Sequence, residues 1–108
     1  MENIKYNGYG DLKVFHLAYK SVMAIFEITK SFPSEEKYSL IDQIRRSSRS
    51  VPANIAESCK KRLYPKMFIS KLAEAAGKAG ETEVWIDVSK DAGYLSAEDH
   101  NNLISTYE

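Results

Sequence analysis

The sequence predicts an all-α fold, an antiparallel up-down-up-down four-helix bundle. Three observations lead there. Apolar residues recur at helical spacing through three long segments, residues that start and stop helices fall between those segments, and no run alternates in the manner of a half-buried strand. A chain of 108 residues forms one domain, 1–108, with room for a single core.

Asp11 is suited to N-cap a first helix from Leu12 to about Lys30, which the breaker Phe32-Pro33 ends. One stripe of this helix is Val14, Ala18, Ser21, Ile25 and Ile28; a second, about 100° away, is Phe15, Tyr19, Val22 and Phe26. Ser34 caps the second helix, with Glu35 and Glu36 favourable to its dipole, and the helix runs to about Glu57. Leu40, Ile44, Ser48, Val51 and Ile55 share one face of it, with Arg45, Arg49, Pro52 and Ala56 on a flank. Pro52 lacks the N–H that would bond the Ser48 carbonyl and costs about 3 kcal/mol in an ordinary helix. Either the helix ends near Val51 or it continues with a kink; Ile55 stays in phase with Val51, which favours the kink, helped by the Ser47 and Ser48 hydroxyls.

A basic linker, Ser58 to Tyr64, leads to Pro65 at the first position of a third helix that extends to about Ala92, where Gly93 takes the left-handed position beyond the end. Its expected core is Phe68, Leu72, Ala75, Ala79 and Ile86. A second row, Ala73, Gly77, Gly80, Val84 and Val88, is small or apolar. Each glycine costs nearly 1 kcal/mol relative to alanine inside a helix. Close approach of another backbone compensates, which predicts an oligomer; the alternative is a wide core with glycine tolerated at a bend. Ser96, with Asp99 three residues on, starts a fourth helix of only about three turns.

Fifteen basic and fifteen acidic residues cancel, but unevenly. Residues 37–71 carry +7, from Lys37, Arg45, Arg46, Arg49, Lys60, Lys61, Arg62, Lys66 and Lys71 against Asp42 and Glu57. Residues 74–108 carry −6. This polarity suits either a surface for polyanions or two faces that neutralise each other within or between subunits. Arg45, Arg46 and Arg49, with Lys60, Lys61 and Arg62, are the nucleic-acid-binding candidates: guanidinium groups grip phosphate bidentately, and lysines act as mobile point charges. Tyr64 is placed to stack on an unpaired base. The competing reading gives the arginines to helix and subunit contacts, with Arg46 and Glu57 on one face bridging to a neighbour's acidic third helix.

Other chemistry has little support. His16 and His100 lie in distant segments and belong to no metal-ligand group. Glu57, Glu81 and Glu83 resemble the carboxylates of di-metal bundles, but those sites also need Glu-x-x-His elements, absent here. Pairing with Arg45 or Arg46 is their simpler use. There is no phosphate-binding loop, nucleophile elbow or dinucleotide fingerprint, so the chain is read as a non-enzyme with no cofactor and no metal. Cys59, the single cysteine, is read as an inert loop thiol. With no signal-peptide pattern, no internal disulfide and no membrane span, a cytoplasmic protein is expected.

Asp11-Leu12-x-Val14-Phe15, Phe32-Pro33-x-x-Glu36-x-Tyr38-x-Leu40, Gln43-Ile44-Arg45-Arg46 and Val51-Pro52-Ala53-Asn54-Ile55-Ala56-Glu57 resemble the bundle proteins encoded in intervening sequences of large-subunit ribosomal RNA genes. The likeness continues through Phe68, Glu81-x-Glu83 and Gly93-Tyr94-Leu95. It implies an antiparallel four-helix bundle, commonly assembled as a homopentameric ring, with a suspected nucleic-acid role and no established enzymatic activity. The same superfamily includes the accessory variability determinant of diversity-generating retroelements, which binds nucleic acid and its reverse transcriptase. RNA or DNA, a protein such as a reverse transcriptase, and further copies of the chain are therefore the expected partners. Pro52, Asn54, Glu57, Gly77, Gly80, Glu81 and Glu83 are assigned to structure or subunit contact. Lys78-Ala79 departs from the family's frequent serine-leucine pair, and Thr82 replaces a usual apolar residue.

Overall fold

The computed structural model describes residues 12–107. It contains α1 (Lys13–Ile28), α2 (Leu40–Lys60), α3 (Pro65–Asp91) and α4 (Ala97–Tyr107), with tight 3-10 turns at Thr29–Ser31 and Ser34–Glu36. Among the described residues there is no strand. Pairs across the helices run in opposite directions along the chain. Phe26 meets Arg45 while Ala18 packs with Val51 and Ile55; Ser47 meets Thr82 while Glu57 meets Lys71. Asp87 meets His100, and Ser21 closes the ring of helices by bonding Tyr107. These contacts are compatible with the up-down-up-down order.

Leu12 caps α1 without a side-chain bond; the expected cap, Asp11, lies outside the described residues. Ala18, Ser21 and Ile25 are buried, whereas Val14 at the start of the same stripe is exposed. The second helix begins at Leu40, six residues after the expected Ser34 cap. Pro33 is extended, and Ser34–Glu36 form a separate 3-10 turn. Glu36 rather than serine then serves the start of α2: its carboxylate accepts from Ser39 Oγ at 2.6 Å and from the Leu40 N–H at 3.4 Å. It also accepts from Tyr94 Oη at 2.9 Å. A negative group here complements the helix dipole as well as a free N–H.

α2 passes through Pro52 without a break, and its predicted stripe is buried throughout, from Leu40 to Ile55. A bend at Pro52 is compatible with this. The Ser48 hydroxyl donates to the Arg45 carbonyl at 3.1 Å, and Ser47 Oγ lies 2.9 Å from Thr82 Oγ1 and 3.4 Å from the Ile44 carbonyl, so neither serves the Ser48 carbonyl that proline frees. The helix reaches Lys60, past the expected Glu57, and Cys59 is buried in its last turn instead of lying in a loop.

Pro65 opens α3, as expected. At its end the Gly93 N–H bonds the Lys90 carbonyl and the Tyr94 N–H bonds the Ser89 carbonyl, both at 2.9 Å, with Gly93 at φ 86°. This pair of bonds is the Schellman arrangement, which needs a residue tolerant of positive φ. Ser96 Oγ accepts the Asp99 N–H at 3.0 Å and caps α4, which is short, at 11 residues.

Two apolar clusters fill the bundle. The larger joins Ile25, Phe32, Leu40, Ile41, Ile44, Ile86, Leu95 and Leu103. The smaller, Ala18, Val51, Ile55 and Ala75, has Tyr107 of the last turn of α4 packed against it and is flanked by an apolar groove of about 420 Å³ that Val14, Leu17, Leu72 and Tyr107 help to line. No described helix is long and apolar enough to cross a membrane.

Candidate nucleic-acid interface

The three arginines of α2 occupy three different environments. Arg45 is half-buried: its Nε donates to Thr29 Oγ1 at 2.9 Å, an Nη donates to the Phe26 carbonyl at 3.3 Å, and the guanidinium lies 4.8 Å from the Phe26 ring centre. Thr29 in turn donates to the Ile25 carbonyl at 2.7 Å. Arg45 thus ties α2 to the orphan carbonyls at the end of α1, a use that satisfies both the cation and the helix terminus. Arg46 and Arg49 are exposed and make no hydrogen bond or ion pair with the described residues.

Those two arginines border a polar groove of about 450 Å³ between α2 and α3, with Gln43, Ser47, Ser50, Lys78 and Glu81 as the remaining lining. Behind it, the Ser47 hydroxyl lies 2.9 Å from that of the buried Thr82. Lys78 pairs with Glu81 at 3.3 Å, and Glu81 also accepts from Trp85 Nε1 at 3.2 Å. Net positive charge in the groove therefore comes from Arg46 and Arg49. Gln43 adds an exposed amide able to donate and accept.

Further along α2, Lys71 sits between Glu57 at 3.3 Å and Glu74 at 3.1 Å. The bonds to Glu74 and Glu57 push its pKa above the ordinary lysine value. One lysine against two carboxylates leaves this stretch negative. Beyond it, at the α2–α3 connection, Lys60 is exposed, Lys61 is half-buried, and Arg62 donates to the Cys59 carbonyl at 3.1 Å beside the exposed Leu63 and Tyr64. From Arg46 to Lys60 is about 21 Å at the helical rise. The basic residues consequently form two patches separated by a carboxylate-rich turn.

The expected pairing of glutamates with Arg45 or Arg46 is replaced by lysine partners, Lys71 for Glu57 and Lys78 for Glu81. Glu83 is half-buried, near Tyr107, whose pKa rises chiefly through burial of the phenol. Asn54 Nδ2 donates to the Ser50 carbonyl at 2.9 Å, an intrahelical bond. Pro52 is buried and lines an apolar groove of about 290 Å³ between α1 and α2 with Phe15, Tyr19, Val22, Ala53 and Ala56; Arg49 stands on the rim of both grooves. Gly77 and Gly80 face outward, where a Cβ on either would meet nothing within 4 Å. His100 Nε2 lies 2.7 Å from Asp87 Oδ1 and links α4 to α3. The described residues hold no cluster of three His, Cys, Asp or Glu side chains suited to a metal.

No curated protein matches the chain. A match over residues 10–108, nearly the whole sequence, places it in the family described as 23S rRNA-intervening sequence protein, and the chain belongs to that family.

Proposed function

We propose that this protein is a non-enzymatic, self-assembling helical bundle that binds the backbone of RNA or DNA through Arg46, Arg49 and the Lys60-Lys61-Arg62 turn. The observation that carries the reading is the state of Arg46 and Arg49. In a chain with as many acids as bases, two neighbouring guanidinium groups stand exposed beside a groove without an acidic partner among the described residues, although carboxylates on α3 take lysines nearby. Arginine left unpaired in this way is ready for bidentate contact with phosphate. Arg45 is left out of the set because its donors are spent on α1. Repetition of the patches around a homo-oligomer, a pentamer by family likeness, adds avidity to a weak individual contact. The family's description ties it to 23S rRNA genes, which agrees with a nucleic-acid partner. Assembly in the cytoplasm fits the single cysteine.

A second reading makes the protein a structural or adaptor ring that recruits a protein such as a reverse transcriptase. Gly77 and Gly80 favour it, since a Cβ on either would meet nothing within 4 Å among the described residues. Binding of single-stranded RNA, an RNA hairpin and duplex DNA across a salt series separates the two. Arg46→Ala and the pair Lys60→Ala with Lys61→Ala should weaken binding and flatten the salt slope by about one unit per lost phosphate contact on duplex. Unchanged affinity and slope, with the assembly intact by light scattering, would refute the nucleic-acid reading.

A further inference from the structure

The protomer carries two outward faces of different shape and opposite charge. The first is the α1–α2 groove, walled by Phe15, Tyr19 and Val22 and floored by the small side chains of Pro52, Ala53 and Ala56. Its α2 rim bears Arg49, with Lys60 on the same flank, and Tyr19 beside it is 53% exposed. The second is the outer face of α3. Opposite the buried Ile86, the helix presents Gly77, Gly80, Val84 and Val88; Val84 is 54% and Val88 41% exposed, and open space lies over both glycines. Acidic residues flank this ridge, among them Asp87 and the exposed Asp91.

We infer that the α3 ridge of one copy seats in the α1–α2 groove of the next, so that the assembly is head-to-tail and built on two different surfaces. This rests on the self-assembly in the proposed function and adds which faces meet. A narrow ridge of glycine and valine suits a groove floored by alanine and proline, because small residues on both sides let the helices approach closely. The acids beside Val88 then lie toward the basic α2 rim, where Arg49 makes no ion pair with the described residues of its own copy. A contact between unlike surfaces closes into a ring when its rotation permits. It draws Arg49, on the rim of both grooves, toward the subunit contact and leaves Arg46 outside the apolar contact.

Two substitutions at exposed positions test this. Ala53→Glu fills the groove and sets a carboxylate against the acidic ridge; Gly80→Trp adds bulk to the ridge at a site with no intramolecular neighbour. Circular dichroism and melting should show both folded, and Gly77→Glu replaces Gly80→Trp if the latter melts early. Under light scattering at micromolar concentration, each variant alone should be monomeric while wild type is oligomeric. An equimolar mixture should form a two-copy species and nothing larger, since one intact groove and one intact ridge remain. If one variant alone keeps the wild-type mass, the contact uses a single face twice and the inference is wrong. If both keep it, or if the mixture stays monomeric, neither pairing of faces holds. A monomeric wild type would overturn the self-assembly itself, independently of any nucleic-acid binding.

Discussion

Thr82 is wholly buried, yet it is polar at a position where an apolar residue would pack as well. Its Oγ1 lies 2.8 Å from the Lys78 carbonyl and 2.9 Å from Ser47 Oγ. With one proton on each hydroxyl, the shortest satisfied set has Thr82 donating to the carbonyl and Ser47 donating to Thr82. Thr82→Val keeps the shape and removes the acceptor, which leaves Ser47 only the Ile44 carbonyl at 3.4 Å. A loss of about 1–2 kcal/mol is expected in urea unfolding, and adding Ser47→Ala should restore much of it, because removing both partners is cheaper than orphaning one. Additive losses would show that the two hydroxyls do not interact. This pair joins residues far apart in sequence, so no local pattern announced it. The same holds for Arg45: its angular position on α2 was legible, but the helical wheel says nothing of its height, and height brings it to the end of α1.

Between elements, the corner where α2 starts and α3 ends is tied by a hydrogen bond from Tyr94 Oη to Glu36, beside the packing of the Tyr94 ring on Phe32. Glu36 has its pKa lowered, mainly by the Ser39 hydroxyl and then by Tyr94, while the bond to Glu36 raises the Tyr94 pKa. A lowered carboxylate stabilises the fold above the unfolded value of 4.5 and loses that contribution as pH falls through the folded value. A raised phenol stabilises it below 10.0 and loses that contribution as pH rises through its folded value. Melting temperature followed against pH should therefore drop at both ends, and Tyr94→Phe should flatten the alkaline fall and lessen the acid one. Profiles of identical shape would mean the bond does not form in solution. At the same corner, Gly93→Ala should cost about 1–2 kcal/mol through its positive φ, read by denaturant midpoint. Sequence punctuation located Pro65, Gly93 and Ser96 correctly because each acts on its own few residues. It misplaced the start of α2, since Ser34 has the chemistry of a cap but follows a proline that turns the chain before a full α-helical turn can form.

For the whole molecule, the lengths of the helices set an uneven distribution of stability. α3 has 27 residues and α4 has 11; α4 buries Leu103 in the large cluster and touches the small one through Tyr107. The brevity of the last helix and the separation of charge were both visible in the sequence, since each is a property of chain segments. That the basic segment splits into two patches was not, because Glu57 and Glu74 meet at Lys71 only after α2 and α3 pack. Local opening draws on the apolar contacts that must be broken, and these are fewest at the end formed by the start of α1, the end of α2 and the start of α3. There Val14, Leu17 and Leu72 are exposed. Hydrogen exchange should show amides near Ile44 and Ile86, both fully buried, opening only with global unfolding. Amides in the first turns of α1 and α3 should exchange sooner, through an opening that leaves the large cluster closed. Filling the apolar groove beside the last turn of α4, with Ala76→Leu for instance, should slow exchange at that end and leave the rates around Ile86 unchanged. Equal protection along the full length of α3 would show instead that the small cluster and the large one unfold as a single unit.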